Sequence, residues 1–205
     1  MGRVILASQN KDKIREIDAI FRKYDMPVVS RDEAGLPKDE IEETGQTFEE
    51  NSLIKALGIR AMIEADESLS EHLDSIIVAD DTGLMVDALN GAPGVYSARY
   101  AGEDCRYEDN CRKLLEELKG VPYEDRTAHF ETVITLLYPD GTKLVAVGQC
   151  KGHIGLEPKG DAGFGYDPLF VPEGYDKTFA ELGTDIKNTI SHRANALAEL
   201  ERLLG

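Results

Sequence analysis

Short runs of β-branched and aliphatic residues alternate along this chain with stretches whose apolar positions recur every three or four residues, which predicts strands alternating with helices. Arg3-Val4-Ile5-Leu6-Ala7 reads as a first buried strand, and Ile14, Ile17, Ile20, Phe21 and Tyr24 share one face of a following helix. Pro27 to Glu43 reads as a short strand at Val28-Val29 and then an acidic connection. Thr47-Phe48-Glu49-Glu50 has the form of a capping box, opening a helix with Leu53, Ile54, Leu57, Ala61, Met62 and Ala65 inward. Residues 66–75 read as a polar surface loop. Ile76-Ile77-Val78-Ala79 is apolar at every position, the mark of a strand covered on both faces. A helix with Cys111, Leu114, Leu115 and Leu118 inward ends at Gly120. Thr127–Tyr138 and Lys143–Cys150 then form a hairpin around Pro139-Asp140-Gly141-Thr142. Ser191 caps a last helix with Ala194, Leu197, Leu200 and Leu204 inward. The sum is an α/β fold, a mixed central sheet with helices on its faces.

Composition narrows the class. The 205 residues fit one domain, 1–205, and 41% hydrophobic content supports a folded core. The net charge of −16 opposes binding to a nucleic-acid backbone or an anionic membrane, so neither is expected as a partner. It would equally repel a phosphate-bearing ligand unless local lysines and a metal reverse the field. Cys105, Cys111 and Cys150 show no metal-ligand spacing and read as free thiols, which with the lack of any long apolar run gives a cytoplasmic expectation.

Four places carry candidate chemistry. The central strand runs into Asp80-Asp81-Thr82-Gly83, delivering two carboxylates to the edge of a core. They either hold a hard cation such as Mg²⁺ or cap a turn that Thr82-Gly83 permits, and Asp81 is the candidate site residue. Residues on an extended strand alternate faces, so both could serve one ion only if the chain turns between them. The turn Ser8-Gln9-Asn10-Lys11-Asp12-Lys13 joins a strand to a helix start, where backbone N–H groups and the helix dipole favour an anion; taken alone, Ser8 or Asn10 as an ordinary cap and Lys13 as a solvated lysine is the simpler reading. Glu42 and Glu43 precede the second helix and Lys55 lies one turn inside it; they could share a cation or a phosphate, or belong to a solvated acidic loop and a local ion pair. Gly163-Phe164-Gly165-Tyr166-Asp167-Pro168 holds a ring between glycines, either as a stacking platform for a nucleobase or as core packing. His192 and Arg193 sit in the first turn of the last helix, where cations oppose the dipole, so they read as selected for a site or as a surface basic cluster.

Six motifs in order resemble the inosine-triphosphate/xanthosine-triphosphate pyrophosphatase family. They are Ser8-x-Asn10-x-x-Lys13, Glu43-Thr44-Gly45-x-Thr47-Phe48-x-Glu50-Asn51, Ala79-Asp80-Asp81-Thr82-Gly83-Leu84, Gly91 to Tyr100, Gly163 to Pro168, and Ser191-His192-Arg193. Gln9 stands where many members have glycine. The resemblance implies an elongated fold with two lobes around a substrate cleft, a homodimer, and Mg²⁺. It implies hydrolysis of ITP, dITP and XTP to the monophosphate and pyrophosphate. Ser8, Gln9, Asn10, Lys11, Asp12, Lys13 and Lys55 would hold the phosphates. Asp81 would be general base and metal ligand, Glu43 the second ligand, with Asp80 in support. Thr82 would line the pocket, Phe164 with Gly165 and Tyr166 would hold the base, and Asp167, Lys187, His192 and Arg193 would read its edge. The Phe164 loop and Ser191-His192-Arg193 distinguish the chain from the related septum-inhibitor-type pyrophosphatases, and the acidic set from a non-catalytic nucleotide-binding protein on the same fold.

Overall fold

The structure is a computed structural model that describes residues 3–8 and 11–205, except the side chains of Lys11, Asp12 and Glu16. The elements in order are β1 (Val4–Leu6), α1 (Lys11–Phe21), β2 (Val28–Ser30), α2 (Phe48–Ala65), β3 (Ile76–Val86), α3 (Tyr107–Glu117), β4 (Thr127–Leu137), β5 (Lys143–Ile154), β6 (Phe170–Pro172), α4 (Phe179–Ile190) and α5 (His192–Leu204). Six strands form one sheet in the order β2-β1-β3-β4-β5-β6. β1 pairs in parallel with β2 and β3, with Val4 opposite Ile76, while β6 runs antiparallel to β5. The sheet is therefore mixed and flanked by helices, as the pattern predicts.

The chain forms two compact units. The first comprises Met1–Asp81, Val133–Val147 and Ala196–Gly205; the second comprises Thr82–Thr132 and Gly148–Asn195. In the first unit the strands are covered on both faces, and the period of two sorts their side chains. Val4, Leu6, Ile76, Val78, Ile134 and Leu136 pack with Ile17, Ile20 and Phe21 of α1 and with Ala196 and Leu200 of α5. Ile5, Ile77, Ala79 and Leu137 pack on the other face with Ala56, Ile59 and Ile63 of α2 and with Leu69. In the second unit Leu84, Val86, Phe130, Ile154 and Phe170 pack with Leu114 and Leu118 of α3 and Phe179 of α4. Phe170 lies 4.8 Å from Phe130 and 5.2 Å from Phe179, ring centre to ring centre. Buried Arg126 donates to the carbonyls of Leu118, Val121 and Gly155 at 2.9–3.2 Å, closing the end of α3 without an ion pair partner among those contacts. The three cysteines are free thiols, and burial pushes Cys111 and Cys150 up to about 11.

Several elements differ from expectation. α2 turns a different face inward: Phe48, Asn51, Ser52, Ala56, Ile59, Arg60 and Ile63 are buried, whereas Leu57 is 49% exposed. The cause is polar. Ser52 shares a hydrogen bond with Thr135 (2.7 Å), and Arg60 donates to the Leu73 and Ser75 carbonyls (2.8 and 2.7 Å). These pairings let hydrophilic side chains occupy core positions that periodicity alone assigns outward. The capping box is half formed. Thr47 Oγ1 accepts from Glu50 N–H at 3.1 Å, but the Glu50 carboxylate accepts from Gln46 N–H at 2.7 Å, one residue further back. Within 66–75 lies a 3₁₀ helix, Glu67–His72, that buries Leu69 and His72. α4 has no counterpart in the sequence pattern, because Gly183 (φ +79°) breaks it in the middle.

The α2 register is checked by two substitutions measured by urea unfolding. Ile59→Ala should cost about 2–4 kcal/mol, as a buried large-to-small change. Leu57→Ala should change stability by no more than about 0.5 kcal/mol; the reverse order would mean the sequence-derived face is the buried one.

Candidate active site

β3 does not turn at the two carboxylates: it continues unbroken from Ile76 to Val86. The turn expected at Thr82-Gly83 is absent because sheet pairing carries the strand on. Alternation then decides where each carboxylate goes. Asp80 continues the row of Ile76 and Val78, toward α1, and Lys13 Nζ meets its Oδ2 at 2.5 Å. Asp81 continues the row of Ile77 and Ala79, toward α2, and meets a polar stripe of that helix. Lys55 Nζ lies 3.1 Å from its Oδ1, and Asn51 Nδ2 donates to its Oδ2 at 3.3 Å. The two adjacent carboxylates are thus separated onto opposite faces, each matched by a cation on a different helix.

Glu43 joins the Asp81 group. Its Oε1 is 3.4 Å from Lys55 Nζ, so one ammonium stands against two carboxylates. The side chains of Lys55, Asp81 and Glu43 are 17%, 13% and 31% exposed, enough for a ligand to reach them. Burial raises the Asp81 carboxyl above the ordinary carboxylate range; Lys55 opposes that rise, Glu43 adds to it, and Asn51 opposes it. A strongly desolvated carboxylate beside a second carboxylate gains when a cation arrives. All the donors here are hard oxygens, which suits Mg²⁺, and Lys55 already holds a positive charge between them. Among the described residues no group of three or more His, Cys, Asp or Glu side chains converges as a complete metal cage. Two protein carboxylates match a Mg²⁺ that keeps waters and takes substrate oxygens.

Ser8 is half-buried just after β1, and the first turn of α1 starts at Lys11. Gln9 and Asn10 lie outside the described residues, as do the side chains of Lys11 and Asp12. Thr82 shares a hydrogen bond with Thr132 at 2.9 Å.

The second candidate group lies within the second unit. Phe164 is 54% exposed, with Gly163 at φ +82° and Gly165 at φ +62° on either side. Asp167 holds the loop from beneath: its Oδ2 accepts from Phe164 N–H at 3.0 Å and from Lys187 Nζ at 2.5 Å, and the residue is 2% exposed. Lys187 Nζ also sits 4.3 Å from the centre of the Phe164 ring, so the ammonium covers one ring face. Tyr166 turns inward, 3% exposed, its hydroxyl donating to the Ser97 carbonyl at 2.9 Å. Ser191 caps α5 through Ala194 N–H at 3.2 Å, and His192 is buried and stacked on Phe130 with ring centres 4.7 Å apart. The exposed-cluster reading of His192 is thereby overturned, since its ring belongs to an aromatic stack; Arg193 follows it, partly buried. The structure thus brings together Glu43, Lys55 and Asp81, pairs Lys13 with Asp80, and separately groups Phe164, Asp167 and Lys187.

Sequence reading gave Asn51 no role. The amide is 1% exposed and bonds both Asp81 and the Gly45 N–H, the latter at 2.8 Å. The available signal was an amide four residues before Lys55, on the same helix stripe.

Fold and site together define an α/β protein whose carboxylate–lysine centre can engage a cation and an anionic ligand at once. The chain belongs to the Ham1 family, whose sequence model matches residues 4–203. A curated relative named dITP/XTP pyrophosphatase, from Thermoanaerobacter pseudethanolicus, is 47% identical over 202 residues, covering 98% of this chain and 96% of the relative. Another of that name, from Oceanobacillus iheyensis, is 44% identical over 204 residues, covering 100% and 98%. Among solved structures, the Staphylococcus aureus Ham1 protein superposes with a TM-score of 0.87 at 40% identity, covering 98% of this chain and 97% of that one. A HAM1 protein from Coxiella burnetii gives 0.87 at 38% identity, with 100% and 98% covered.

The loop geometry makes a paired prediction. A Cβ on Gly163 would lie 2.1 Å from Asp167 Oδ2, whereas one on Gly165 meets nothing within 4 Å. Gly163→Ala should lower stability by about 2 kcal/mol or more, and Gly165→Ala by about 1 kcal/mol from backbone strain alone. Urea unfolding of both proteins reads the difference; equal effects would mean that the Asp167 contact does not shape the loop.

Proposed function

We propose that this chain hydrolyses ITP, dITP and XTP, with water, to the nucleoside monophosphate and pyrophosphate, and so removes them from the nucleotide pool. The observation that carries the reading is the Glu43–Lys55–Asp81 group, which joins two carboxylates to an ammonium at a half-buried strand position. It accords with the activity named for the relatives.

Asp81 and Glu43 would hold Mg²⁺, which when bound supplies Lewis-acid polarisation of the phosphate oxygens. The chain's own residues do the rest. Asp81, kept desolvated and braced by Asn51 and Lys55, accepts a proton from the water that attacks the α-phosphorus. The bond that breaks joins the α-phosphorus to the α,β-bridging oxygen, and pyrophosphate leaves. Lys55 and Lys13, with the Ser8–Lys13 turn, offset the charge of the phosphates in a chain that otherwise carries −16. Asp80 holds Lys13 in place from the opposite face of β3.

Base recognition falls to the second unit. Phe164, 54% exposed with Lys187 over its ring and the Tyr107 ring 6.2 Å away, would stack on the base. The side chains of Lys187 and Arg193 carry N–H donors only, so a 6-oxo group on a purine can accept from them and a 6-amino group would face donors with donors. Thr82 would line the substrate pocket, and Asp167 and His192 would read the base edge with Lys187 and Arg193. The family resemblance further supports a homodimer and a cytoplasmic location. Among the described residues no helix is long and apolar enough to cross a membrane.

The decisive assay measures pyrophosphate release from a panel of nucleoside triphosphates with Mg²⁺. Release from ITP, dITP and XTP far above that from ATP and GTP is expected; tight binding across the panel with no release would instead indicate a non-catalytic nucleotide binder. Asp81→Asn should lower turnover by about 10³-fold, in line with loss of a general base, while its melting temperature stays near that of the parent. Chelation by EDTA should abolish release, and excess Mg²⁺ should restore it; full activity in chelator would eliminate the metal from the reaction.

A further inference from the structure

Asp81 receives one donor on each oxygen. Lys55 takes Oδ1 at 3.1 Å and Asn51 takes Oδ2 at 3.3 Å, from positions four residues apart on one stripe of α2. The two donors differ in kind. Lys55 is a flexible ammonium that also reaches Glu43, so it can move toward an arriving phosphate. Asn51 cannot move in that way. It is 1% exposed, and its Oδ1 is already occupied by the Gly45 N–H at 2.8 Å. That backbone bond fixes which amide atom faces the loop and so leaves Nδ2 to face Asp81. Gly45 stands two residues from Glu43. A single buried amide therefore ties the loop that carries one carboxylate to the strand that carries the other.

A second observation converges on the same contact. A Cβ added at Gly45 would lie 2.6 Å from Asn51 Oδ1 and 2.7 Å from Glu50 Cβ. Gly45 shows no left-handed φ, so close approach to Asn51 is what its lack of a side chain serves here.

We propose that Asn51 is a positioning residue: its amide sets the spacing and orientation of the Glu43 and Asp81 carboxylates, and so tunes their affinity for a divalent cation. The proposal rests on the reading of those two carboxylates as cation ligands. Asn51 touches neither cation nor substrate; it acts through Asp81 and the Gly45 loop. Outer partners of this kind commonly change metal affinity by about 10- to 100-fold when removed.

The test measures Mn²⁺ binding to the full chain by electron paramagnetic resonance of free Mn²⁺, with melting temperature recorded for every variant. Asn51→Leu keeps the side-chain shape and removes both hydrogen bonds; its Mn²⁺ dissociation constant should rise about tenfold or more. Ser52→Ala, next door, removes the buried bond to Thr135 and should lower the melting temperature while leaving Mn²⁺ affinity unchanged. Gly45→Ala attacks the contact from the loop side and should weaken Mn²⁺ binding as well, which keeps the test alive if Asn51→Leu does not fold. The Gly45→Ala/Asn51→Leu double variant should bind no worse than Asn51→Leu alone, since both act through one contact. Wild-type affinity in Asn51→Leu, or fully additive effects in the double variant, would overturn the proposal. Glu43→Gln and Asp81→Asn serve as the reference and should lose Mn²⁺. If they bind it normally, the cation reading itself fails and takes the proposal with it; if only Asn51→Leu binds normally, the cation reading stands and the Asn51 role alone falls.

Discussion

The arrangement of this site depends on the two-residue repeat of an extended strand. β3 enters with aliphatic side chains on both faces and leaves its central section with Asp80 and Asp81, one per face. Two carboxylates side by side in sequence would repel strongly if they shared a surface. The pleat sends them apart, and each finds a lysine on the helix that covers its own face, Lys13 on α1 and Lys55 on α2. The same helices that bury the aliphatic rows thus supply the counter-charges, so the core and the site are built by one set of contacts. Removing Lys55 would leave the largely buried Asp81 carboxylate with the Asn51 amide but no counter-charge from α2, which is far costlier than losing an exposed pair.

The second group works by a related economy of parts. An exposed aromatic ring between two glycines would wander if nothing held it. Asp167 closes the loop through the Phe164 amide and engages Lys187, which in turn lies over the ring. The ammonium is shared between a carboxylate below and a π-face above, and the Tyr107 ring lies 6.2 Å from that of Phe164. His192 is held differently, by stacking in the aromatic core beside Phe130. Rigidity at the loop comes from charge, and rigidity at the helix start comes from packing.

Much of this was legible in the sequence, for physical reasons. Strands buried on both faces announce themselves as unbroken aliphatic runs, and β1 and the first part of β3 do so. The glycines around Phe164 mark it as either an exposed platform or core packing, and the ring proves to be exposed. What escaped has a common cause: periodicity assigns polar residues outward. Asn51, Ser52 and Arg60 are inward on α2 because each has a buried partner distant in the chain, and no local rule reveals such partners. By the same token α2 buries a different face from the one its apolar spacing indicates. Thr82-Gly83 resembles a turn locally, yet the sheet keeps it extended. α4 shows no period in the sequence because Gly183 splits its pattern into two short pieces.

The unbroken run of β3 has a bearing on how such a chain can vary. Adding or deleting one residue before Asp80 would exchange the two sides of everything that follows. The aliphatic rows could absorb the exchange, since both sides are oily. The acids could not, for each would then confront the other's helix, and the amide and two lysines would be left addressing the wrong neighbour. Length changes are therefore barred from this strand by its charges more than by its grease, and evolution's freedom to insert must lie in connections such as 139–142.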